Sequence, residues 1–358
     1  MRKPVRRRAA ALVTIDQVAH RAGVSLMTVS RVTNGHECVR ERTRERVMRA
    51  IRELNYKPNP AARALAAARA DRIALLYANP SAGYLSELLL GTLDGAGLTG
   101  CQLVVQKWEG ADGGGERARA RARQLARDAD GVLLPPPLCE SQPLTAALEG
   151  VQVPCVAIAA GLATPGMSCV RIDNRRAAHD MTTHLIRLGH RAMGFIKGDP
   201  NQSASAQRFE GFRHALADAG VPFNEAWVAA GDFSYRSGLR AAEHLLAARI
   251  RPTAIFASND DMAHAVISVA QRRRLSVPRD LSVAGFDDTL MATTVFPELT
   301  TVRQPIAPMS QEAIALLLEA TRRKRLNLDA EPEDRLFEHE LIERDSCAPP
   351  RGASSATS

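Results

Sequence analysis

Residues 14–31 read TIDQVAHRAGVSLMTVSR. Thr14 is placed to cap a helix, with Gln17 three residues on in the capping-box position, and Ile15, Val18, Ala19 and Ala22 fall on one stripe. Gly23 tolerates the positive φ that ends such a helix, and Val24 points inward. Ser25 can cap a second helix in which Val29 and Val32 share a buried face. Two helices joined by so short a turn predict a helix-turn-helix. The first turn of its second helix enters the major groove, which gives Leu26 and Met27 a role where bulky apolar side chains would otherwise face water. They can cover thymine methyl groups, while Ser30 and Arg31 supply hydrogen bonds to bases or phosphates and Thr28 positions a phosphate.

Beyond this motif, Glu41 to Leu54 predicts a third helix, with Val47, Ile51 and Leu54 at helical spacing and Arg42, Arg44, Arg46, Arg49 and Arg52 mostly outside. Charge is divided in the same way. Residues 1–70 hold 16 Lys/Arg against 5 Asp/Glu, which is +11; the chain as a whole has 47 against 39, so the rest is 31 against 34, or −3. A basic module joined to a near-neutral one predicts a polyanion partner for the first and a different partner for the second.

Next comes NYKPNPAARALAAARA (55–70), where Asn59 can cap and Pro60 can take the first helical position of a short alanine-rich segment. At this point TIDQVAHRAGVSLMTVSRVTN followed by TRERVMRAIRELNYKPNPAARAL resembles the DNA-binding headpiece and hinge of the lactose-repressor (LacI/GalR) family, almost continuously over residues 14–66. The resemblance implies a hinge that folds as a helix when two subunits meet on an operator, with Leu65 wedged into the central minor groove and Ala62 and Arg63 beside it. Asn34, Tyr56 and Asn59 join Thr14 and Ser25 in the implied DNA surface. The physics agrees: a segment of roughly eight residues is too short to be a stable isolated helix. Wedging an apolar side chain between base steps costs a few kcal/mol and returns a kink that extends the contact.

From Arg72 the pattern changes to short β runs alternating with amphipathic helices, among them IALLYAN, CQLVVQK, GVLLPPP, VPCVAIAA, AMGFI, TAIFASND and LSVAGFDD. Such alternation predicts parallel sheets flanked by helices, divided into two lobes with a ligand at the carboxyl ends of the strands. The stretches RLGH (187–190), RFEGF (208–212), GDFS (231–234), PTAIFASND (252–260), SVAGFDD (282–288) and LTTVRQP (299–305) are similar to the same family's effector-binding core, itself like periplasmic sugar-binding proteins. That likeness implies effector contacts at Arg208, Asn259 and Asp287 and an aromatic stacking surface at Phe233. Asn79 and Ser81, after the first strand, can complete the pocket. The chemistry suits a polyol: a carboxylate accepts from vicinal hydroxyls, a guanidinium donates in a fork, and an aromatic face covers the ring's C–H side.

Other chemistry finds little support. Gly95, Gly97 and Gly100 spell GxGxxG, but the stretch comes after a helix and precedes a strand, the reverse of a dinucleotide fold. No phosphate-loop, HExxH or GxSxG motif occurs, so no catalytic role and no metal or other cofactor is expected. The six cysteines, Cys38, Cys101, Cys139, Cys155, Cys169 and Cys347, form no CxxC pair, which suits a reducing compartment. The basic start runs into too short an apolar stretch for an export signal, and no run reaches membrane-spanning length. A cytoplasmic protein is expected.

The expected organisation is therefore a basic disordered tail (1–13), an all-α helix-turn-helix domain (14–58), a hinge (59–70), a periplasmic-binding-protein-like α/β core of two lobes with parallel sheets (71–344) and a disordered tail (345–358). The expected partners are operator double-stranded DNA, a mono- or disaccharide effector and a second copy of the chain. Ala159 and Ala160 stand where some sugar-responsive members carry an acidic residue, so the far end of the effector is held differently. With no leucine-heptad tail, a dimer is expected.

Overall fold

The computed structural model describes residues 15–25, 28, 29, 32, 40–54, 56, 70–108, 115–164, 166–328 and 331–351 of the 358. The chain divides into two compact units, Met1–Ala70 and Asp71–Ser358.

In the first unit, α1 (Ile15–Ala22) and α2 (Glu41–Glu53) pack together, and Thr28, Val29 and Val32 are helical between them. Val18, Ala19, Ala22, Val29, Val32, Val47 and Ala50 form the core, with Val24, Ile51, Leu54 and Tyr56 packed against it. The turn after α1 depends on Gly23, whose φ of +63° favours a residue without a Cβ. Ser25 caps the helical turn at Thr28 and Val29: its Oγ accepts from the Thr28 amide at 3.2 Å. From α2, Arg46 donates to the carbonyls of Ala22 and Gly23, satisfying the exposed end of α1. Thr14, Leu26, Met27, Ser30, Arg31, Asn34, Asn59, Ala62, Arg63 and Leu65 lie outside the described residues.

The second unit contains two six-stranded sheets. The strands of the first are β1 (Arg72–Tyr77), β2 (Gln102–Lys107), β3 (Gly131–Leu134), β4 (Cys155–Ile158), β5 (Ser168–Ile172) and β11 (Asp334–Phe337), in the order β11-β5-β4-β3-β1-β2. Those of the second are β6 (Met193–Ile196), β7 (Val228–Ala229), β8 (Ala254–Ala257), β9 (Ser282–Asp287), β10 (Thr300–Arg303) and β12 (Glu340–Ile342), in the order β12-β10-β9-β8-β6-β7. All pairings are parallel except β10 with β12, where the chain returns antiparallel at the edge. Strands covered on both faces carry unbroken apolar runs: Ile73, Ala74, Leu75 and Leu76 are all fully buried.

Helices α3 (Ala82–Thr99), α4 (Gly115–Asp128), α5 (Gln142–Gly150) and α11 (Ile306–Arg325) belong to the first lobe. Helices α6 (Asn174–Arg187), α7 (Ser203–Asp218), α8 (Tyr235–Ala247), α9 (Asp260–Arg272) and α10 (Leu290–Thr294) belong to the second. The chain therefore crosses between lobes three times: after β5, between β10 and α11, and between β11 and β12. Of the GxGxxG glycines only Gly95 is packed, with Gln311 Cα 3.1 Å from where its Cβ would stand; Gly97 and Gly100 face open space. Gly95 and Gly97 lie inside α3, Gly100 ends it with φ +77°, and a Cβ on the preceding Gly91 would come within 2.5 Å of Ala307 Cα on α11.

The expectation of a disordered tail from residue 345 is corrected for 345–351. Ser346 Oγ donates to the Val283 carbonyl at 2.6 Å and accepts from the Thr300 amide, and Ala348 N donates to Ser282 Oγ. The buried His190 ring lies 3.0 Å from both Ser282 Oγ and the Ala348 carbonyl, and Arg351 pairs with Asp280. Composition predicted disorder there because these hydrogen bonds are made to residues 46 or more positions upstream, which no local pattern reveals.

Candidate functional site

The carboxyl ends of the strands meet in a narrow cleft between the lobes. The first lobe contributes Asn79, Ser81, Tyr84, Pro136 and Ala159; the second contributes Gln202, Ala204, Arg208, Phe233, Asn259 and Asp287, and Gln304 sits on a crossing. All six residues singled out from the sequence, Asn79, Ser81, Arg208, Phe233, Asn259 and Asp287, thus line one cavity. Three lining residues that are not glycine hold positive φ: Ala159 at 55°, Phe233 at 67° and Asp287 at 112°. Such backbone is costly for residues with a side chain, and it is gathered here on the loops that shape the cleft.

Arg208 is fixed before any ligand arrives. Its Nε donates to Asn174 Oδ1 at 2.8 Å and its Nη1 to the Ser258 carbonyl at 2.6 Å, and its guanidinium lies 3.6 Å from the Phe286 ring centre. Asp287 Oδ1 stands 3.7 Å from Nη1 and accepts from Gln304 Nε2 at 2.6 Å. Burial pushes the Asp287 carboxyl up to about 6, against the opposing pull of Arg208 and the Gln304 hydrogen bond. Asp260, buried below, is pushed up strongly by burial and by the Asp287 charge, while it accepts from Thr301, the Thr289 amide and the Thr289 hydroxyl. Gly285 leaves room for it: a Cβ there would sit 2.5 Å from Asp260 Oδ1.

Several side chains expected to touch an effector are largely occupied by the protein. Asn259 caps α9 by accepting from the Met262 amide and donates to the Phe233 carbonyl, so it fixes the turn that carries Phe233. Phe233 is buried, and its ring packs over Gly198 so closely that a Cβ there would lie 2.1 Å from Cζ. Asn79 Oδ1 accepts from the Ser81 amide, leaving its NH₂ group. Ser81 Oγ caps α3 and donates to Asp261 of the other lobe. Ser25 and Thr28 of the first unit bond one another through their hydroxyls, and Tyr56 is half-buried against that unit's core.

Sequence reasoning passed over Tyr84, Gln202, Gln304 and Asn174. Gln304 lay within the LTTVRQP stretch and Tyr84 three residues after the Ser81 cap, so both had a positional signal; Gln202 and Asn174 had none. Tyr84 and Gln202 are notable because Tyr84 Oη and Gln202 Nε2 are buried without a hydrogen-bond partner within the protein. Buried polar groups left so are satisfied by a bound molecule or by water. Among the described residues no cluster of His, Cys, Asp and Glu is suited to a metal ion, and no helix is long and apolar enough to cross a membrane.

A basic helical unit carrying a helix-turn-helix, ahead of a two-lobed α/β unit with a buried polar cleft, defines a ligand-responsive DNA-binding regulator. Residues 14–59 match the model of bacterial regulatory proteins of the lacI family, and residues 182–347 match the periplasmic binding protein-like domain. Catabolite control protein A of Priestia megaterium is 34% identical over 306 residues, spanning 85% of this chain and 91% of that one. The HTH-type transcriptional repressor PurR of Escherichia coli O1:K1 / APEC is 34% identical over 343 residues, 94% of this chain and 97% of its own. Among solved structures, the complex of the transcriptional regulator CelR with cellobiose superposes with a TM-score of 0.70 at 33% identity, covering 93% of this chain and 99% of that one. The lac repressor dimer bound to operator and the anti-inducer ONPF gives 0.68 at 27% identity, covering 94% and 99%. The chain belongs to the lacI family of bacterial regulatory proteins.

Proposed function

We propose that this regulator is a repressor that binds a roughly palindromic operator as a homodimer, and that a sugar-type effector in the interlobe cleft controls its grip. The observation that carries the effector class is the polar arrangement of the cleft. A buried guanidinium and carboxylate stand beside Tyr84 Oη and Gln202 Nε2, both lacking partners, which suits several hydroxyls better than a flat heterocycle. The cellobiose complex of CelR supports the same class. The name of PurR points the other way, toward a purine. Against that, aromatic residues make up only 4% of the chain, and Phe233 is already packed on Gly198.

Dimerisation is supported by apolar surface: α3 exposes Leu90 and Leu93, and the edge strand β2 exposes Val105. In this reading, lobe closure shifts the dimer contact and determines whether the two hinge segments stay helical on DNA. A thousandfold change in operator affinity needs about 4 kcal/mol of coupling.

The test is to select an operator from random duplexes with full-length protein, then to titrate mono- and disaccharides, including cellobiose, alongside hypoxanthine and guanine by calorimetry. A sugar is expected to bind and to change operator affinity at least about tenfold, the scale of an ordinary allosteric coupling. If only a purine does so, the sugar reading falls. The responsive sugar should also report the state of Asp287. An ionised carboxylate accepts from hydroxyls, and its protonation as pH falls through about 6 removes that acceptor. Sugar affinity is therefore expected to weaken about tenfold between about pH 7 and pH 5, as simple titration dictates. A flat profile would show that the ionised form plays no part.

A further inference from the structure

Glu140 comes after β3 in the first lobe and is not part of the cleft lining. Its carboxylate reaches the opposite lobe, where Oε2 accepts from the Ser203 amide at 2.6 Å and Oε1 accepts from Ser203 Oγ at 2.9 Å. Ser203 is the first residue of α7, the helix that carries Arg208. The residue in the N-cap position of α7, Gln202, makes no capping hydrogen bond with its side chain. The leading amide of α7 is thus satisfied by a carboxylate from the other lobe, at the positive end of the helix dipole.

The neighbouring backbone closes the same seam. The Leu162 amide of the first lobe donates to Ser203 Oγ at 3.1 Å, and the Gly161 amide lies 3.4 Å from Glu140 Oε1. A Cβ on Gly161 would fall 2.2 Å from the Ala204 nitrogen and 2.5 Å from the Ser203 carbonyl carbon. The two lobes are therefore in direct backbone contact here, and a side chain at 161 cannot be accommodated while they stay together. A second seam lies at the Ser81–Asp261 hydrogen bond, where an α3 cap meets the first turn of α9.

We propose that Glu140 is an interlobe positioning residue: it caps α7 across the cleft and holds the two lobes closed, without touching whatever occupies the cavity. The inference rests on the reading that the cleft opens and closes around an effector, but its test needs no effector. When the lobes part, the α7 amide loses its acceptor and the carboxylate returns to water, so the cap favours closure alone. Losing a cap of this kind shifts such an equilibrium by up to about tenfold.

The test is hydrogen–deuterium exchange by mass spectrometry on ligand-free, full-length protein, tracking peptides that cover residues 159–163 of one lobe and 200–206 of the other. In Glu140→Ala, both peptides are expected to exchange about tenfold faster, together, because separating the lobes exposes both sides of the seam. Glu140→Gln keeps one acceptor oxygen and should restore part of the protection. Gly161→Val, a wedge in the seam that leaves Glu140 intact, should reproduce the joint loss. Glu149→Ala, an exposed carboxylate on α5, serves as control and should leave both peptides unchanged. Unaltered exchange in Glu140→Ala overturns the proposal. So does a loss confined to residues 200–206, which would make Glu140 a local cap on lobes held together by other means. If every sugar failed to bind, the proposed function would fall while these exchange results stood.

Discussion

Arg208→Leu is expected to destabilise the two-lobed unit by about 3–5 kcal/mol, the cost of removing one partner from a buried charged pair. The leucine can occupy the aliphatic part of the space and the face of Phe286. It cannot donate. Asn174 Oδ1 and the Ser258 carbonyl lose their bonds, each buried acceptor costing about 1–3 kcal/mol if left unpaired. Asp287 keeps only Gln304 and loses the positive charge that opposes its uptake of a proton. The carboxyl then protonates at a still higher pH, which relieves part of the penalty and keeps the loss from exceeding this range. Arg208→Lys retains a charge but not the fork, and should fall between the two. Denaturant midpoints of the two-lobed unit, with slopes compared for two-state behaviour, measure these losses. A midpoint unchanged in Arg208→Leu would mean that the guanidinium adds nothing to the fold and serves ligand alone.

The second large effect is expected at a residue for which the sequence supplies the argument. Leu65→Ala should weaken binding to the selected operator about a hundredfold, while binding to unrelated duplex changes less than about twofold. A wedge acts only where the duplex can be kinked, whereas nonspecific affinity comes from phosphate contacts that a leucine does not make. The titrations must share one salt concentration, since phosphate contacts make both affinities steeply salt-dependent. Equal losses on both duplexes would remove the wedge from the mechanism of specific binding.

Reading the chain by periodicity located β1 to β4, β6, β8 and β9, whose apolar runs are local signals, but not the edge strands β7, β11 and β12, nor β5, β10 and α11. Of the six cleft positions, Arg208, Phe233, Asn259 and Asp287 were legible through the family resemblance, and Asn79 and Ser81 through their place after the first strand, at the end where a parallel α/β sheet gathers its ligand loops. What escaped depends on contacts over long separations. Glu140 meets Ser203 across 63 residues and Ser81 meets Asp261 across 180, and neither pairing leaves a local pattern. Asn259 was legible as a cleft residue but not as a helix cap, since the same ND pair serves either purpose. The GxGxxG stretch belonged to a helix and its C-cap, because α3 extends to Thr99, beyond the apolar stripe that marked its centre, and only Gly95 of the three packs against α11.

The placement of Asn174 and Gln304 bears on how ligand choice can evolve. Each stands at one of the three passages between lobes, and each holds a member of the Arg208–Asp287 pair. Altering the pair for a new compound therefore also removes a partner of a residue on a connection between the lobes. Ala159, Ala204 and Gln202 border the same space. Selection for a new signal, natural or in the laboratory, can reshape the space there without removing a partner of the pair.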